Sequence, residues 1–381
     1  MSTPLLFALQ SATKVQALEA LDGALLAQLT SFVANQTQAR ILIIKDPRPF
    51  PVLDAALKSF FDPQRMRTDD RIVPNPQTSD IMAMVADARA FAPDLVLGIG
   101  GGSALDSAKA VCALVSHEGD LDEYLGPQAT RKLERRGAKL VLIPTTCGTG
   151  AEVTKFGVYT ARSGRKYSLN SPLLQADAAV LVASLVADIP PALLASTAYD
   201  ALTHALETLW NKNANPVSDA LATEALVRLL THFRPAYDAR KAGRAEGTFE
   251  LLMAACEAGA AFNNTGTAAI HALSFILSEE WHVPHGGACA FFTEDVFDFN
   301  SQEPGVRVKL GEVAKRVWGP AATVKQLREE LLALKRHTGL PCTFADIPGA
   351  SGLEDRRIAE LFDKVQEDFK LKNNVPPMGL E

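Results

Sequence analysis

The chain has 381 residues, of which 47% are hydrophobic and 22% charged, and its formal net charge is −6. That length points to two or three domains, and that balance excludes a disordered or fibrous chain. Mild acidity without a long basic run argues against a nucleic-acid partner.

No apolar run approaches the roughly 18 residues of a membrane helix. The first 17 residues have no basic leader, and Gln10 and Lys14 break their apolar run, so no signal peptide is expected. Cys112, Cys147, Cys256, Cys289 and Cys342 are odd in number, widely spaced and form no CxxC pair. This pattern fits a reducing cytoplasm and argues against both a disulfide framework and a thiolate metal site.

In chain order, residues 40–45 (RILIIK) read as a strand that ends at Asp46 before a proline-rich turn. Residues 53–61 and 80–91 have helical spacing, and residues 95–97 form a second strand running into glycines. A helix is expected over 104–115 and a strand over 139–143. Strand, turn and helix in repetition predict a parallel sheet with crossover helices. After residue 189 the texture changes to long alanine- and leucine-rich segments, with helices expected over 195–210, 218–233, 246–262, 266–277, 324–338 and 353–369. The expected division is an α/β domain over 1–188 and an all-helical domain over 189–381.

Two loops carry chemistry. Gly98-Ile99-Gly100-Gly101-Gly102-Ser103 joins a strand to a helix. Consecutive glycines let a backbone approach a phosphate, and the helix start offers free amides and the positive end of its dipole. Ser103 suits an N-cap, and Asp106 suits the first turn. These glycines do not have the Rossmann spacing. Asp46 either accepts hydrogen bonds from an adenosine ribose, favouring NAD over NADP, or caps a turn. The second loop, residues 144–154, presents Thr145, Thr146 and Thr149 after another strand, a composition suited to a pyrophosphate or ribose. Cys147 within it reads as a small packing residue.

Seven histidines are present. Asp200 and His204 lie one helical turn apart on one face. His271 falls in a second apolar helix, and His285 in a glycine-bearing loop after it; His282 is an alternative to His285 by spacing. One carboxylate and three imidazoles make a donor set for Fe2+ or Zn2+.

Together these segments resemble the iron-containing alcohol dehydrogenase family over residues 40–377. Residues 100–109 (GGGSALDSAK) match its GGGSxxDxAK signature, residues 144–154 its PTTxGTGxExT loop, residues 200–207 (DALTHALE) its DALxHxxE helix, and His271 and Pro284-His285-Gly286 its later histidines. The resemblance implies a dehydroquinate synthase-like fold, a nucleotide-binding α/β domain with a parallel sheet plus an all-α domain, and an active site in the cleft between them. It implies a metal held by Asp200, His204, His271 and His285, preferring His285 to His282. It implies NAD(P) along Gly100, Gly101, Gly102, Ser103 and the threonine loop, with Asp46 by the ribose and Lys166 near the cofactor. It also implies a cytoplasmic homodimer acting on a small alcohol or aldehyde.

Three positions depart from the family pattern. A relay histidine four residues after the third ligand is here Phe275, which carries no proton. Tyr199 stands before the metal aspartate, where it is expected to narrow the pocket. Val182-Ala183 replaces a common Asp-Pro. Residues 267–274, with Trp210-Asn211 and Phe299-Asn300, resemble the phosphonoacetaldehyde reductase branch. Two competing readings are a dehydroquinate synthase-like lyase, against which the four ligands and the GGGSxxDxAK match speak, and a non-catalytic nucleotide-binding protein, favoured only by Phe275.

Overall fold

The structure is a computed structural model and describes residues 13–18, 38–366, 368 and 370–378. By internal contacts the described residues fall into two compact units, one comprising those between 13 and 146 and residues 150–186, the other residues 147–149 and those from 187 to 378.

The first unit is built on six parallel strands: β1 (Lys14–Leu18), β2 (Ile41–Lys45), β3 (Met66–Asp69), β4 (Leu95–Gly100), β5 (Lys139–Pro144) and β8 (Ala178–Val182), in the order β1-β8-β5-β4-β2-β3. A parallel sheet covered on both faces needs strands that are apolar on both faces, and β2, β4 and β8 are buried at every residue. Alternate residues serve opposite cores. Ile41, Ile43, Leu95, Leu97, Val141 and Ile143 pack with Leu53 and Leu57 of α1 (Pro51–Phe60). Leu42, Ile44, Val96, Leu140 and Leu142 pack with α2 (Thr78–Phe91) and α3 (Gly102–Leu114).

The chain leaves β2 for β3 on one side, whereas β4 leads to β5 on the other. Their following helices, α1 and α3, accordingly cover opposite faces. The neighbouring strands β2 and β4 therefore mark the switch point of the sheet, whose carboxyl edge is where open α/β sheets bind ligands. Asp46 and the glycine turn both lie there.

An antiparallel hairpin, β6 (Phe156–Thr160) and β7 (Lys166–Asn170), is tied to α3. Asp106 Oδ2 accepts from Val158 N at 2.9 Å, Tyr159 Oη donates to Asp106 O at 3.0 Å, and the enclosed Lys109 Nζ donates to Phe156 O at 2.7 Å. Lys166 opens β7.

After the short α4 (Ala183–Val186), the second unit is a helical assembly: α5 (Pro191–Leu209), α6 (Pro216–Lys241), α7 (Thr248–Thr265), α8 (Ala269–Glu280), α9 (His285–Asn300), α10 (Pro304–Trp318), α11 (Val324–Thr338) and α12 (Asp355–Asp363). Among its described residues there is no strand longer than an isolated bridge. No described helix is long and apolar enough to cross a membrane.

Several expectations shift. The helix over 218–233 continues through Pro235 to Lys241, and the one expected from residue 266 begins at Ala269, because Gly266 at φ +76° ends α7. His285 does not lie in a loop but opens α9. The composition of α9 (HGGACAFFTEDVFDFN) disfavours a helix by propensity. Its glycine nevertheless has a packing reason: a Cβ at Gly286 would sit 1.8 Å from Ser196 O, so only glycine lets α9 seat against α5. Tyr199 does not line an open pocket; it is fully buried, with its hydroxyl on Leu331 O at 3.2 Å and Glu294 Oε1 at 3.4 Å. Buried beside it, Glu294 pairs with Lys335.

Candidate functional site

In the sheet unit the turn after β4 is shaped by close approach. Gly100 has φ +150°, and a Cβ there would meet the Asp46 carboxyl at 2.6 Å and Ala104 Cβ at 2.7 Å. Asp46 Oδ2 accepts from Gly101 N at 3.0 Å, so the carboxylate does brace the turn. Burial raises the Asp46 pKa, against the opposing effects of the Gly101 hydrogen bond and Arg48. Thr145 N donates to Gly100 O at 2.9 Å, and Thr146 lies against Gly101, its methyl 3.3 Å from where a Cβ would be. Asp46, Gly100, Gly101, Thr145 and Thr146 are thus brought together.

Two details differ from expectation. Gly101, not Ser103, is the N-cap of α3, because its extended backbone (φ −74°, ψ −179°) starts the helix at Gly102. Ser103 therefore sits inside the first turn, where its carbonyl accepts from Ser107 Oγ at 2.8 Å. Asp106 falls beyond that turn, and its carboxylate is engaged by Val158 N and by Lys109 at 3.5 Å. Thr149 belongs with residues 147–149 to the helical unit. There Cys147 is buried with its thiol on Thr248 O at 3.4 Å, a packing role as expected.

In the helical unit Asp200 is the hub. Its Oδ1 lies 3.4 Å from His271 Nε2, 3.6 Å from His285 Nε2 and 3.9 Å from His204 Nε2. α5 presents Asp200 and His204, α8 presents His271, and α9 presents His285. Asp200 and His271 are buried, whereas the His285 side chain is 41% exposed. His282 adopts φ +55° and is exposed outside this cluster. Asp200 Oδ1, His204 Nδ1 and His271 Nε2 are buried atoms without a hydrogen-bond partner. Burying such atoms unpaired is costly. Converging oxygen and nitrogen lone pairs are what a divalent ion satisfies, so these residues fit one.

The charges are uneven. Burial disfavours ionised Asp200, but His204, His285 and His271 outweigh it and hold the carboxyl well below its usual range. Burial pushes His204 down to about 3. Burial acts likewise on His271, but Glu207 and Asp200 overcome it and lift that ring to about 9.

Glu207 had no assigned role in the sequence reading. Fully buried, its Oε2 accepts from His271 Nδ1 at 2.7 Å and Ala268 N at 2.6 Å, and its Oε1 from His271 N at 3.2 Å. A carboxylate only accepts, so Nδ1 carries a proton in either charge state, and a bound ion would displace the other proton and leave the Nε2 lone pair facing the cluster. The available signal was position: Glu207 follows His204 by one helical turn. Cys289 was also missed. Its sulfur, one turn after His285, belongs to a group with Asp200, His271 and His285 whose donor atoms all lie within 4.8 Å of one another. Phe275 is half-buried, with Lys370 Nζ 4.0 Å from its ring centroid.

The chain matches two family descriptions end to end: iron-containing alcohol dehydrogenase over residues 22–183, and the C-terminal part of the Fe-containing alcohol dehydrogenase family over residues 194–379. It is 31% identical over 363 residues to long-chain-alcohol dehydrogenase 1 of Geobacillus thermodenitrificans, covering 92% of this chain and 89% of that one. It is 36% identical over 226 residues to sulfoacetaldehyde reductase of Bilophila wadsworthia, covering 59% and 57%. The fold superposes on sulfoacetaldehyde reductase from Bifidobacterium kashiwanohense in complex with NAD+ with a TM-score of 0.84 and 23% identity, over 99% of this chain and 96% of that one. The glycine turn at a sheet switch point and the histidine cluster on a helical unit are those of a metal- and nucleotide-dependent oxidoreductase class. The chain belongs to the iron-containing alcohol dehydrogenase family.

Proposed function

We propose that this protein is a metal-dependent alcohol dehydrogenase and aldehyde reductase that moves a hydride between NAD(H) and a small alcohol or aldehyde. The observation carrying this reading is the convergence of Asp200, His271 and His285, with the buried Asp200 Oδ1 and His271 Nε2 left without a hydrogen-bond partner, in a chain of this family. Fe2+ is the expected ion by family, with Zn2+ suited to the same donors, and His204 belongs to the expected ligand set. Such an ion would polarise a substrate oxygen, while the nicotinamide would carry the hydride.

The chain's own residues do the rest. Glu207 fixes the His271 tautomer and aims Nε2. Asp200 stays ionised and supplies negative charge beside three imidazoles. Gly100 to Ser103, with Thr145 and Thr146, would cradle the cofactor pyrophosphate on backbone amides and hydroxyls, and Thr149 and Lys166 are the further cofactor residues that the family resemblance implies. Asp46, at the end of β2, would disfavour a 2′-phosphate and so favour NAD over NADP. Asp106, whose carboxylate is engaged by Val158 N and Lys109, would serve that site only indirectly, by fastening the hairpin to α3. Phe275 carries no proton, so a proton entering or leaving substrate oxygen travels by water past the exposed edge of His285. A phosphonate- or sulfonate-bearing aldehyde is the proposed substrate class, supported by the resemblance of residues 267–274 and by the similarity to a sulfoacetaldehyde reductase. A cytoplasmic homodimer belongs to the same reading.

The test is to purify the protein without oxygen and load separate samples with Fe2+ and Zn2+. NADH and NADPH oxidation is then followed against small aldehydes including phosphonoacetaldehyde and sulfoacetaldehyde. Metal-dependent NADH oxidation supports the proposal. Cofactor binding without turnover of any aldehyde under either metal refutes it.

A further inference from the structure

Glu207 orients His271, and a residue far along the chain orients Glu207: we propose that Asn373 is a positioning residue for the metal centre, acting through the Thr267–Ala268 peptide group. This rests on the metal-centre reading above.

The turn from α7 into α8 leaves helical geometry at Gly266, so its carbonyls have no helical N–H to accept from. Side-chain amides take that place. Asn213 Nδ2 donates to Thr265 O at 3.1 Å, Asn211 Nδ2 to Gly266 O at 3.1 Å and Asn373 Nδ2 to Thr267 O at 3.0 Å. The third differs from the others in what lies across the peptide. The N–H of that same group, on Ala268, donates to Glu207 Oε2 at 2.6 Å. A trans peptide group is rigid and planar, with its C=O and N–H pointing opposite ways. Asn373 and Glu207 therefore grip one plane from its two ends, and it cannot turn without straining both bonds. Donation to the carbonyl also polarises the group and strengthens its N–H as a donor. Glu207 Oε2 is the oxygen that accepts from His271 Nδ1 at 2.7 Å. Asn373 sets the peptide, the peptide sets that oxygen, and the oxygen sets the ring.

Asn373 is itself anchored. Lys212 N donates to Asn373 O at 2.8 Å and Val375 N to Trp210 O at 2.9 Å, which ties residues 373–375 to the end of α5. The adjoining Asn374, fully buried, exchanges amide hydrogen bonds with the equally buried Asn300 at 2.6 and 3.1 Å, which ties them to the end of α9. A segment fastened to the helices that carry Asp200 and His285 is thus what aims the ligand on α8. Asn373 is only 7% exposed, so water does not readily replace its amide.

The experiment compares Asn373→Ala with Asn211→Ala. Both remove one buried amide from the same turn, but only the first releases the Ala268 peptide, and Gly266 O keeps the Thr265 hydroxyl at 2.9 Å when Asn211 is lost. In metal-free protein carrying nitrogen-15 histidine, the His271 Nδ1 proton is identified by its absence from His271→Ala, and its exchange with water is followed by NMR. The expected result is exchange about tenfold faster in Asn373→Ala and unchanged in Asn211→Ala. Chelator competition should then show Zn2+ affinity about tenfold weaker in Asn373→Ala, the lower end of the range for an outer partner, and unchanged in Asn211→Ala. Circular dichroism checks the fold of each variant, and Asn373→Ser, whose hydroxyl is too short to reach Thr267 O, takes the place of an alanine variant that does not fold. Exchange or affinity unmoved in the folded Asn373 variant, or moved equally in Asn211→Ala, overturns the positioning role and leaves the metal centre standing. Failure of the unsubstituted protein to bind Zn2+ overturns both, and exchange that still quickens in Asn373→Ala would then show the link to His271 standing without a metal.

Discussion

Replacing Glu207 tests whether the buried carboxylate orients His271. Its three hydrogen bonds, at 2.6, 2.7 and 3.2 Å, divide unequally, with two on Oε2 and one on Oε1. In Glu207→Gln the amide oxygen best takes the Oε2 position, keeping Ala268 N and His271 Nδ1. The new NH2 then faces His271 N–H, donor against donor. One buried amide left unpaired costs about 1–3 kcal/mol, which leaves the fold standing. Glu207→Ala removes all three hydrogen bonds and the charge, costing about 3–5 kcal/mol, the range for breaking a buried charge pair. The glutamine variant is therefore the informative one. Loss of an outer carboxylate typically weakens metal affinity about 10–100-fold. Chelator competition with Zn2+ on the folded variant should read that loss, with activity recovering as free metal is raised. Affinity within about twofold of the unsubstituted protein would refute any contribution of the carboxylate beyond the one ring hydrogen bond that glutamine keeps.

Other consequences follow from the same geometry. Gly286→Ala drives a methyl into Ser196 O and should lift α9 from α5, so bound metal falls well below one equivalent while the sheet unit's nucleotide affinity is unchanged. Gly100→Ala places a methyl 2.6 Å from the Asp46 carboxyl at a positive φ and should do the reverse, raising the Kd for NADH at least about tenfold, or 1.4 kcal/mol, with metal content retained. In metal-free protein the raised His271 pKa stabilises the fold fully below its ordinary value of 6.5, and that contribution is lost as pH rises through about 9. The urea midpoint of chelated protein should therefore fall between pH 6.5 and 9.5. A flat or rising midpoint across that window would show that the ring is not held charged by Glu207 and Asp200.

What could be read from sequence was whatever declared itself locally. β2, β4 and β5 are apolar runs because both faces of a central parallel strand are buried, and α3 follows its glycines directly. The edge strand β3 (MRTD) and the hairpin β6–β7 carry polar residues that solvent tolerates, so no pattern marks them. α9 was hidden because Gly286 answers to α5 rather than to helix propensity. That one omission also hid Cys289, whose place beside His285 exists only if the segment is helical. Glu207 stood in plain view in a matched motif, but its purpose depends on α8, which lies more than sixty residues later in the chain.

The bonds that fasten the β6–β7 hairpin to α3 have an electrical consequence. Lys109, the cation nearest the glycine turn in sequence, is fully enclosed and balanced by Asp106. An anion seated on Gly101 to Ser103 would thus draw no counterion from this pair, and at the turn itself would face amides and the roughly half-unit positive end of the helix dipole. Half a charge is matched better by a diphosphate diester, with one negative charge on each phosphorus, than by a terminal monoester carrying nearly two. Such a turn would suit a dinucleotide bridge better than the end of a mononucleotide.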